Sequence, residues 1–478
     1  MKVCMIIEGS YPYVVGGVSS WVNTIISNMP DQEFIIYSIG AQEKEKGNYK
    51  YKLPPNVTKI EEVFLDSILN VSGKYGKKYK LPQADIDNLS KLISGGKINW
   101  DQFFLLFRTK KIDNVVNFFL SFDFFRTIQK AYGVEHATTP FTEYFWTVRA
   151  VLLPLFHIVK HDIPEADVYH SVSTGYAGII GSMASIVYKK PFLLTEHGIY
   201  FREREEDIIK LDWIKGYFKR IWIQFFYNAT QLTYDRADKV ITLFEKNRKL
   251  QVDYGCDPKK IEIIPNGISI KNFKDIARKD EKDNSINIGA LIRVVPIKDV
   301  MTLIHSFAVV KDEIPEAKLY IMGPIDEDEE YYEQCKKLVQ RLGRKDVFFT
   351  GTIKTLDYVG KMDILALSSI SESNPIAVLE GMACAIPYVC TDVGNCRDLM
   401  YGTDDGAGDT YGYAGIIVPV MDYKGFAKAL IKLIKDEGLR KKLGQNGFNR
   451  LSNLYIQEQV IEKYKDIYAS LYQESKGR

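Results

Sequence analysis

Two glutamates eight positions apart carry the first chemical signal in this chain. They lie in Ser371-Glu372-Ser373-Asn374-Pro375-Ile376-Ala377-Val378-Leu379-Glu380-Gly381-Met382-Ala383-Cys384-Ala385-Ile386-Pro387, after a run that reads as a buried strand. Ser373 or Asn374 can cap a helix with Pro375 near its first turn. Glu372 then sits on the loop and Glu380 about a turn and a half into the helix. Amides exposed at a helix start donate to an anion, aided by the helix dipole. Carboxylates bracketing such a site suit a ligand with hydroxyls at both ends and a phosphate bridge between, as in a nucleotide sugar. The spacing alone also occurs on solvated helix faces.

Other strings also hold residue types suited to chemistry. Gly16-Gly17, in the stretch from Glu8 to Trp21, joins the first strand to a helix, where glycines let the backbone approach a phosphate or sugar closely. His157 and His161 have metal-ligand spacing, but no zincin-type Glu accompanies them, so a packed or surface pair is expected. Asp85-Ile86-Asp87 falls in a helical segment, and Asp326-Glu327-Asp328 in an acidic run that reads as a solvated loop. No metal site is expected. Cys4, Cys256, Cys335, Cys384, Cys390 and Cys396 form no Cys-x-x-Cys pair, which fits a reduced, cytoplasmic setting.

The elements that must position these residues fall into two βα-alternating stretches, the pattern of parallel sheets covered by helices. In the first, strands are expected at Val3 to Glu8, Phe34 to Ser38, Asp167 to Ser171, Phe192 to Glu196 and Lys239 to Leu243. In the second they are expected at Ile286 to Leu291, Lys318 to Met322, Val347 to Thr350, Ile364 to Ser368, Tyr388 to Thr391 and Gly415 to Val418. The expected organisation is an N-terminal domain over 1–270 and a C-terminal domain over 271–456, with a cleft between them. A last helix, 457–478, should pack back on the first domain. Residues from about 60 to 160 are rich in aromatics and read as a helical insertion. Its rings, with the run Tyr217 to Tyr227 that also holds Lys219 and Arg220, either pack helices onto the first domain or form an interfacial surface.

Composition bounds the function class. The 478 residues predict two or three domains at about 150 residues each. With 63 Lys and Arg against 61 Asp and Glu, the net charge of +2 lacks the footprint of a nucleic-acid binder. The first apolar run is too short for a signal peptide, and no run reaches the roughly 18 to 20 apolar residues of a membrane span.

The string from Ser371 to Pro387 resembles the Glu-x7-Glu signature of retaining family 4 glycosyltransferases, which implies the GT-B fold: an α/β architecture of two facing, doubly wound Rossmann-like domains. Three strings are similar to PelF-type transferases of Pel exopolysaccharide assembly. They are Glu8 to Trp21, Thr195-Glu196-His197-Gly198-Ile199-Tyr200 with Arg202-Glu203-Arg204, and Arg293-Val294-Val295-Pro296-Ile297-Lys298-Asp299. The resemblance implies that Glu380 bonds a ribose and Glu372 the donor hexose, with Ser373, Asn374, Pro375 and Ile376 at the donor. Arg293 and Lys298 would balance a diphosphate without metal, and His197 would lie beside the hexose. Ile292 stands where the family commonly has Gly.

The resemblance implies a UDP-sugar donor, UDP-glucose favoured, a glycan acceptor, no cofactor, and a membrane-bound polysaccharide-assembly partner at the inner face of the membrane. Competing readings are a GT-B-like sugar-nucleotide epimerase and a non-catalytic sugar-nucleotide sensor or scaffold. A dehydrogenase is disfavoured because no Gly-x-Gly-x-x-Gly follows a strand.

Overall fold

Short runs of Val, Ile and Leu become strands buried on both faces, the burial that a parallel sheet between helix layers imposes. The computed structural model describes residues 1–74, 77–135, 139–280, 283–402 and 410–476. The chain divides into two compact units, Met1–Ile264 with the chain from Lys463 onward, and Pro265–Glu462. The first unit ends ahead of the expected boundary at 270. The last helix, Gln457–Lys476, changes unit at Lys463 rather than at its start.

The first unit is built on β1 (Lys2–Glu8), β2 (Glu33–Gly40), β3 (Val57–Phe64), β4 (Val168–Ser171), β5 (Phe192–Glu196), β6 (Lys239–Thr242) and β7 (Ile261–Ile263). They form one sheet in the order β3-β2-β1-β4-β5-β6-β7, every pairing parallel. The chain starts in the middle of the sheet and reverses its direction of growth between β1 and β4. A crevice outside the carboxyl ends of such a strand pair is where open α/β sheets take ligands.

The second unit repeats the plan with β8 (Ile286–Leu291), β9 (Ala317–Met322), β10 (Val347–Gly351), β11 (Ile364–Leu367), β12 (Tyr388–Thr391) and β13 (Gly415–Val418). The order is β10-β9-β8-β11-β12-β13, again all parallel, with the switch between β8 and β11. Each unit therefore has the doubly wound Rossmann-like sheet that the sequence predicts.

The sequence pattern does not predict β3 or β7. Both are edge strands. β3 carries Thr58, Lys59, Glu61 and Glu62, and β7 is three residues with Glu262 at its centre, so neither shows an apolar run. β3 also occupies the start of the segment read as insertion.

The insertion proper holds the helices Gln83–Ser94, Trp100–Arg108, Val115–Phe119, Phe122–Glu135 and Phe141–Lys160. Most of its rings are core. Phe103, Phe104, Phe118, Phe119, Phe124 and Tyr144 are buried, as are Phe218, Phe225 and Phe226 of the helix Gly216–Arg236. Phe122, Trp146, Trp213 and Tyr217 are exposed. Packing thus accounts for most of the aromatic content. Among the described residues no helix is long and apolar enough to cross a membrane.

Phe156 sits at the centre of this aromatic core, with ring centroids of Phe103, Phe107, Phe118 and Phe119 at 5.5, 5.2, 5.7 and 5.2 Å. Phe156→Ala should cost about 3–5 kcal/mol, because the rings around it cannot collapse into the space. The measurement is the urea midpoint of the first unfolding transition, and an unchanged midpoint would mean that the insertion does not stabilise its unit.

Candidate functional site

In the second unit the chain leaves β8 through Ile292 and Arg293, makes a single turn at Pro296–Lys298, and enters the helix Val300–Glu313. Asp299 caps that helix, its Oδ1 accepting from the Thr302 amide at 3.2 Å. The loop after β11 lies beside this turn. Lys298 Nζ is 2.5 Å from Glu372 Oε1, and Ser369 Oγ donates to the same oxygen at 2.6 Å. Ser368 Oγ donates to the Lys298 carbonyl at 2.9 Å and the Ile370 amide to the Ile297 carbonyl at 2.9 Å. The two loops at the switch point are stitched together, with Glu372 and Lys298 at the seam.

The helix that follows is Ile376–Ala383, and Glu380 is its fifth residue. Its N-cap is Pro375, with no side-chain cap, so the expected capping by Ser373 or Asn374 does not occur. Asn374 is 6% exposed and its amide has no hydrogen-bond partner, so its side chain is turned inward rather than back over the helix start. Among the described residues no side chain bonds the amides at the helix start. Glu380 is half-buried, and no hydrogen bond or ion pair reaches its carboxylate among the described residues. Burial alone pushes its pKa from 4.5 up to about 7.

Arg293 is exposed, with Nη1 2.6 Å from Glu327 Oε2. The run Asp326-Glu327-Asp328 is therefore engaged: Glu327 holds Arg293, and Asp328 caps the helix Glu329–Arg341 by accepting from the Tyr331 amide at 2.9 Å. The Ile292 side chain is buried in the unit's core. Close backbone approach there is supplied by Gly323, where an added Cβ would lie 2.2 Å from the Ile292 carbonyl oxygen.

In the first unit, Gly16 and Gly17 start the helix Gly17–Ser27, again with no side-chain cap. Gly16 is extended, and an added Cβ at either glycine would meet nothing within 4 Å. Nothing in the unit's own packing demands glycine there, so the open backbone is available to a ligand. His197 follows β5 and is half-buried. Its ring packs edge-to-face with Trp21 of that same helix, centroids 4.6 Å apart. Burial lowers its pKa from 6.5 to about 4, so the imidazole is neutral near pH 7.

The neighbouring carboxylates have structural partners. Glu196 accepts from Tyr234 Oη at 2.7 Å and Gln251 Nε2 at 2.8 Å, and Glu8 from Tyr200 Oη at 2.6 Å. Arg202 and Arg204 pair within their own helix, with Glu206 and Asp207.

The remaining strings sit apart from these residues. His157 Nε2 is 2.9 Å from Ser67 Oγ and its ring packs against His161. Asp85 is buried and accepts from Gln102 at 2.7 Å, while Asp87 pairs with Lys130 at 2.5 Å.

Three residues at the second site went unread in the sequence. Gly394 has φ of +51°, and an added Cβ would lie 2.3 Å from the Ser373 carbonyl and 2.4 Å from that of Glu372. Asn395 donates its amide to the Ser373 carbonyl at 2.8 Å, and Asn266 Nδ2 reaches the Asn374 carbonyl at 3.4 Å. A glycine in the turn just beyond a strand, after Asp392 and Val393, is the available signal for the first; the asparagines offer none.

Residues 1–259 match the family described as "Domain of unknown function (DUF3492)", and residues 270–450 match "Glycosyl transferases group 1". Among curated proteins, the chain is similar to the capsular polysaccharide biosynthesis glycosyltransferase CapM of Staphylococcus aureus, 24% identical over 340 residues covering 68% of this chain and 81% of CapM. Among solved structures, sucrose-phosphate synthase of Thermosynechococcus elongatus superposes with a TM-score of 0.61 at 15% identity, covering 99% of both chains. HepE of Anabaena, solved with UDP, superposes with a TM-score of 0.62 at 14% identity, covering 98% of this chain and 100% of its own. HepE has also been solved with UDP-glucose. These likenesses establish the GT-B fold.

The unpartnered Glu380 has a consequence for stability. Its raised pKa means that the folded chain holds a proton the unfolded chain releases, so stability is lost as pH rises from the unfolded value through about 7. Glu380→Gln should match the wild type at pH 5 and exceed it at pH 8 by about 1–3 kcal/mol, read from urea unfolding at both pH values. Equal stability at pH 8 would mean that the carboxylate has a partner.

Proposed function

We propose that this glycosyltransferase, a chain that belongs to the DUF3492 family and carries a glycosyl transferases group 1 domain, moves a hexose from a UDP-sugar to a glycan acceptor with retention of configuration. The observation that carries the reading is the set assembled at the β8/β11 switch point. It comprises a bare helix start, two cations and two carboxylates, one of which has no partner of its own. In this reading Glu380 accepts the ribose hydroxyls. The helix-start amides at Ile376, with Arg293 and Lys298, take the diphosphate, and Glu372, Ser373 and Asn374 meet the hexose. Gly16 and Gly17 supply close backbone approach, and His197 lies against the sugar.

The bond from the anomeric carbon to the phosphate oxygen breaks as the acceptor oxygen bonds the same carbon from the same face. The acceptor proton passes to the departing phosphate, and UDP leaves. Charge on that leaving group is balanced by the fork of Arg293 and the point charge of Lys298, so no metal or other cofactor is required. A neutral His197 does not repel the positive charge that develops on the sugar. HepE's complexes with UDP and UDP-glucose support UDP-glucose as the donor. CapM's role supports a cell-surface polysaccharide as the product; a membrane-bound assembly partner rests on the PelF-like strings alone. Six free, buried cysteines suit a reducing cytoplasm.

UDP-glucose should raise the melting temperature more than GDP-glucose or ADP-glucose, because only a ligand of the native state stabilises it. UDP release from UDP-glucose should persist in chelator. Greater stabilisation by a GDP-sugar overturns the donor, and activity that returns only with magnesium or manganese overturns the metal-free step.

The two carboxylates should separate in titrations with UDP and UDP-glucose. Glu380→Ala should weaken both ligands by a similar factor of about ten or more, because the ribose is common to both, while Glu372→Ala should weaken UDP-glucose more than UDP. Equal losses for both ligands in both variants would show that the assigned roles are wrong.

A further inference from the structure

His197 is held by groups that the proposed chemistry does not use. Trp21, 7% exposed, packs edge-to-face on His197 at 4.6 Å, on His170 at 5.9 Å and on Tyr464 at 5.3 Å. His170 is fully buried on β4. Its Nδ1 is 2.7 Å from Tyr468 Oη and its Nε2 is 2.8 Å from Thr195 Oγ1. Thr195 Oγ1 also lies 3.1 Å from Tyr464 Oη. Thr195 is two residues before His197 on the same strand end. One side of the network thus grips the strand that carries His197, and the other covers its ring. The helix Gly17–Ser27 presents Gly16 and Gly17 at its start and Trp21 from its second turn, so its placement fixes both.

We propose that Trp21 is a positioning residue for transfer, setting the orientation of His197 and excluding water from it, with Tyr464 and Tyr468 of the last helix anchoring the strand beneath. The proposal rests on the reading that His197 lies against the donor sugar. A ring covered in this way stays neutral and keeps one orientation, and neutrality matters where positive charge develops on the sugar. Among the described residues, His170 on β4 couples electrostatically to His197, Tyr464 of the last helix shares the Trp21 ring with it, and Glu196 and Glu203 flank it on its own stretch of chain. Glu196 is already bonded by Tyr234 and Gln251. With the indole gone, water reaches the imidazole and its titration moves from about 4 toward its ordinary value of about 6.5.

The test uses the full chain with UDP-glucose as donor and water as acceptor. UDP release and UDP affinity are followed from pH 4.5 to 8 in the wild type, Trp21→Ala, Trp21→Phe and Tyr464→Phe. Trp21→Ala should lower kcat for UDP release about tenfold or more while UDP affinity stays within about twofold, and Trp21→Phe should recover most of kcat. The acid limb of the kcat profile should shift up toward about pH 6.5 in Trp21→Ala. The His197 Cε1–H resonance, followed by NMR, should titrate there too, which needs no turnover. If Trp21→Ala does not fold, Tyr464→Phe carries the test, expected to lower kcat measurably at constant UDP affinity.

An unchanged kcat in the indole and tyrosine variants overturns the inference alone. So does a loss of kcat and UDP affinity together with neither the acid limb nor the resonance moving, because that pattern marks a purely structural role. A wild type that binds UDP-glucose without releasing UDP, or does not bind it, removes the proposed function and this inference with it.

Discussion

The ion pair between Lys298 and Glu372 is the interaction on which the second unit's site depends. Its side chains are 16% and 11% exposed, so both charges have lost most of their water, and removing either partner would leave the other poorly compensated. The pair is also tied into backbone: Ser369 adds a hydrogen bond to the carboxylate and Ser368 one to the Lys298 carbonyl. The loops after β8 and β11 consequently cannot drift independently, and a site made from both keeps its geometry. In the proposed reading, a phosphate that drew Lys298 toward itself would strip Glu372 of its cation, a loss that the hydroxyls of an attached sugar would offset and inorganic phosphate would not.

The sequence made the central strands legible, because burial on both faces turns them into continuous apolar runs. It did not show β3 or β7, since an edge strand needs only one partner and tolerates Lys59, Glu61 and Glu262. The helix carrying Glu380 was legible from Pro375 and the apolar residues after it, but its cap was not. Whether Asn374 turns over the helix start or into the interior is decided by Gly394, Asn395 and Asn266, which pack on the loop carbonyls from distant stretches of chain. Local pattern carries no information about such contacts. For the same reason His197 is readable as a strand-end histidine, while nothing in the string from Glu8 to Trp21 marks the indole as its neighbour. The aromatic density of the insertion reads as core somewhat more than as surface, and close ring packing around Phe156 resolves most of it as core.

Helix starts beside the two switch points separate scaffold from site. After β4, the helix Tyr176–Tyr188 has no cap of its own, and Glu8 Oε2 reaches across from the end of β1 to accept the Ala177 amide at 3.2 Å. After β8, Asp299 caps Val300–Glu313 even though it must adopt a φ of +45° to do so. The helices after β1 and β11 have neither device: Gly16 and Pro375 occupy the cap positions, and among the described residues no side chain bonds the first amides. Omitting an Asp, Asn or Ser cap costs about 1 kcal/mol at each site. Elsewhere in the second unit Asp328, Asp422 and Asp436 supply such caps, so the composition is no obstacle. In both units one of the two helices at the switch point is capped and holds the strands in place, and the other keeps its amides free. Donors left bare at that point, with glycines at one start that the fold does not require and an unpartnered carboxylate beside the other, are what a scaffold keeps when a ligand is to supply the missing acceptors.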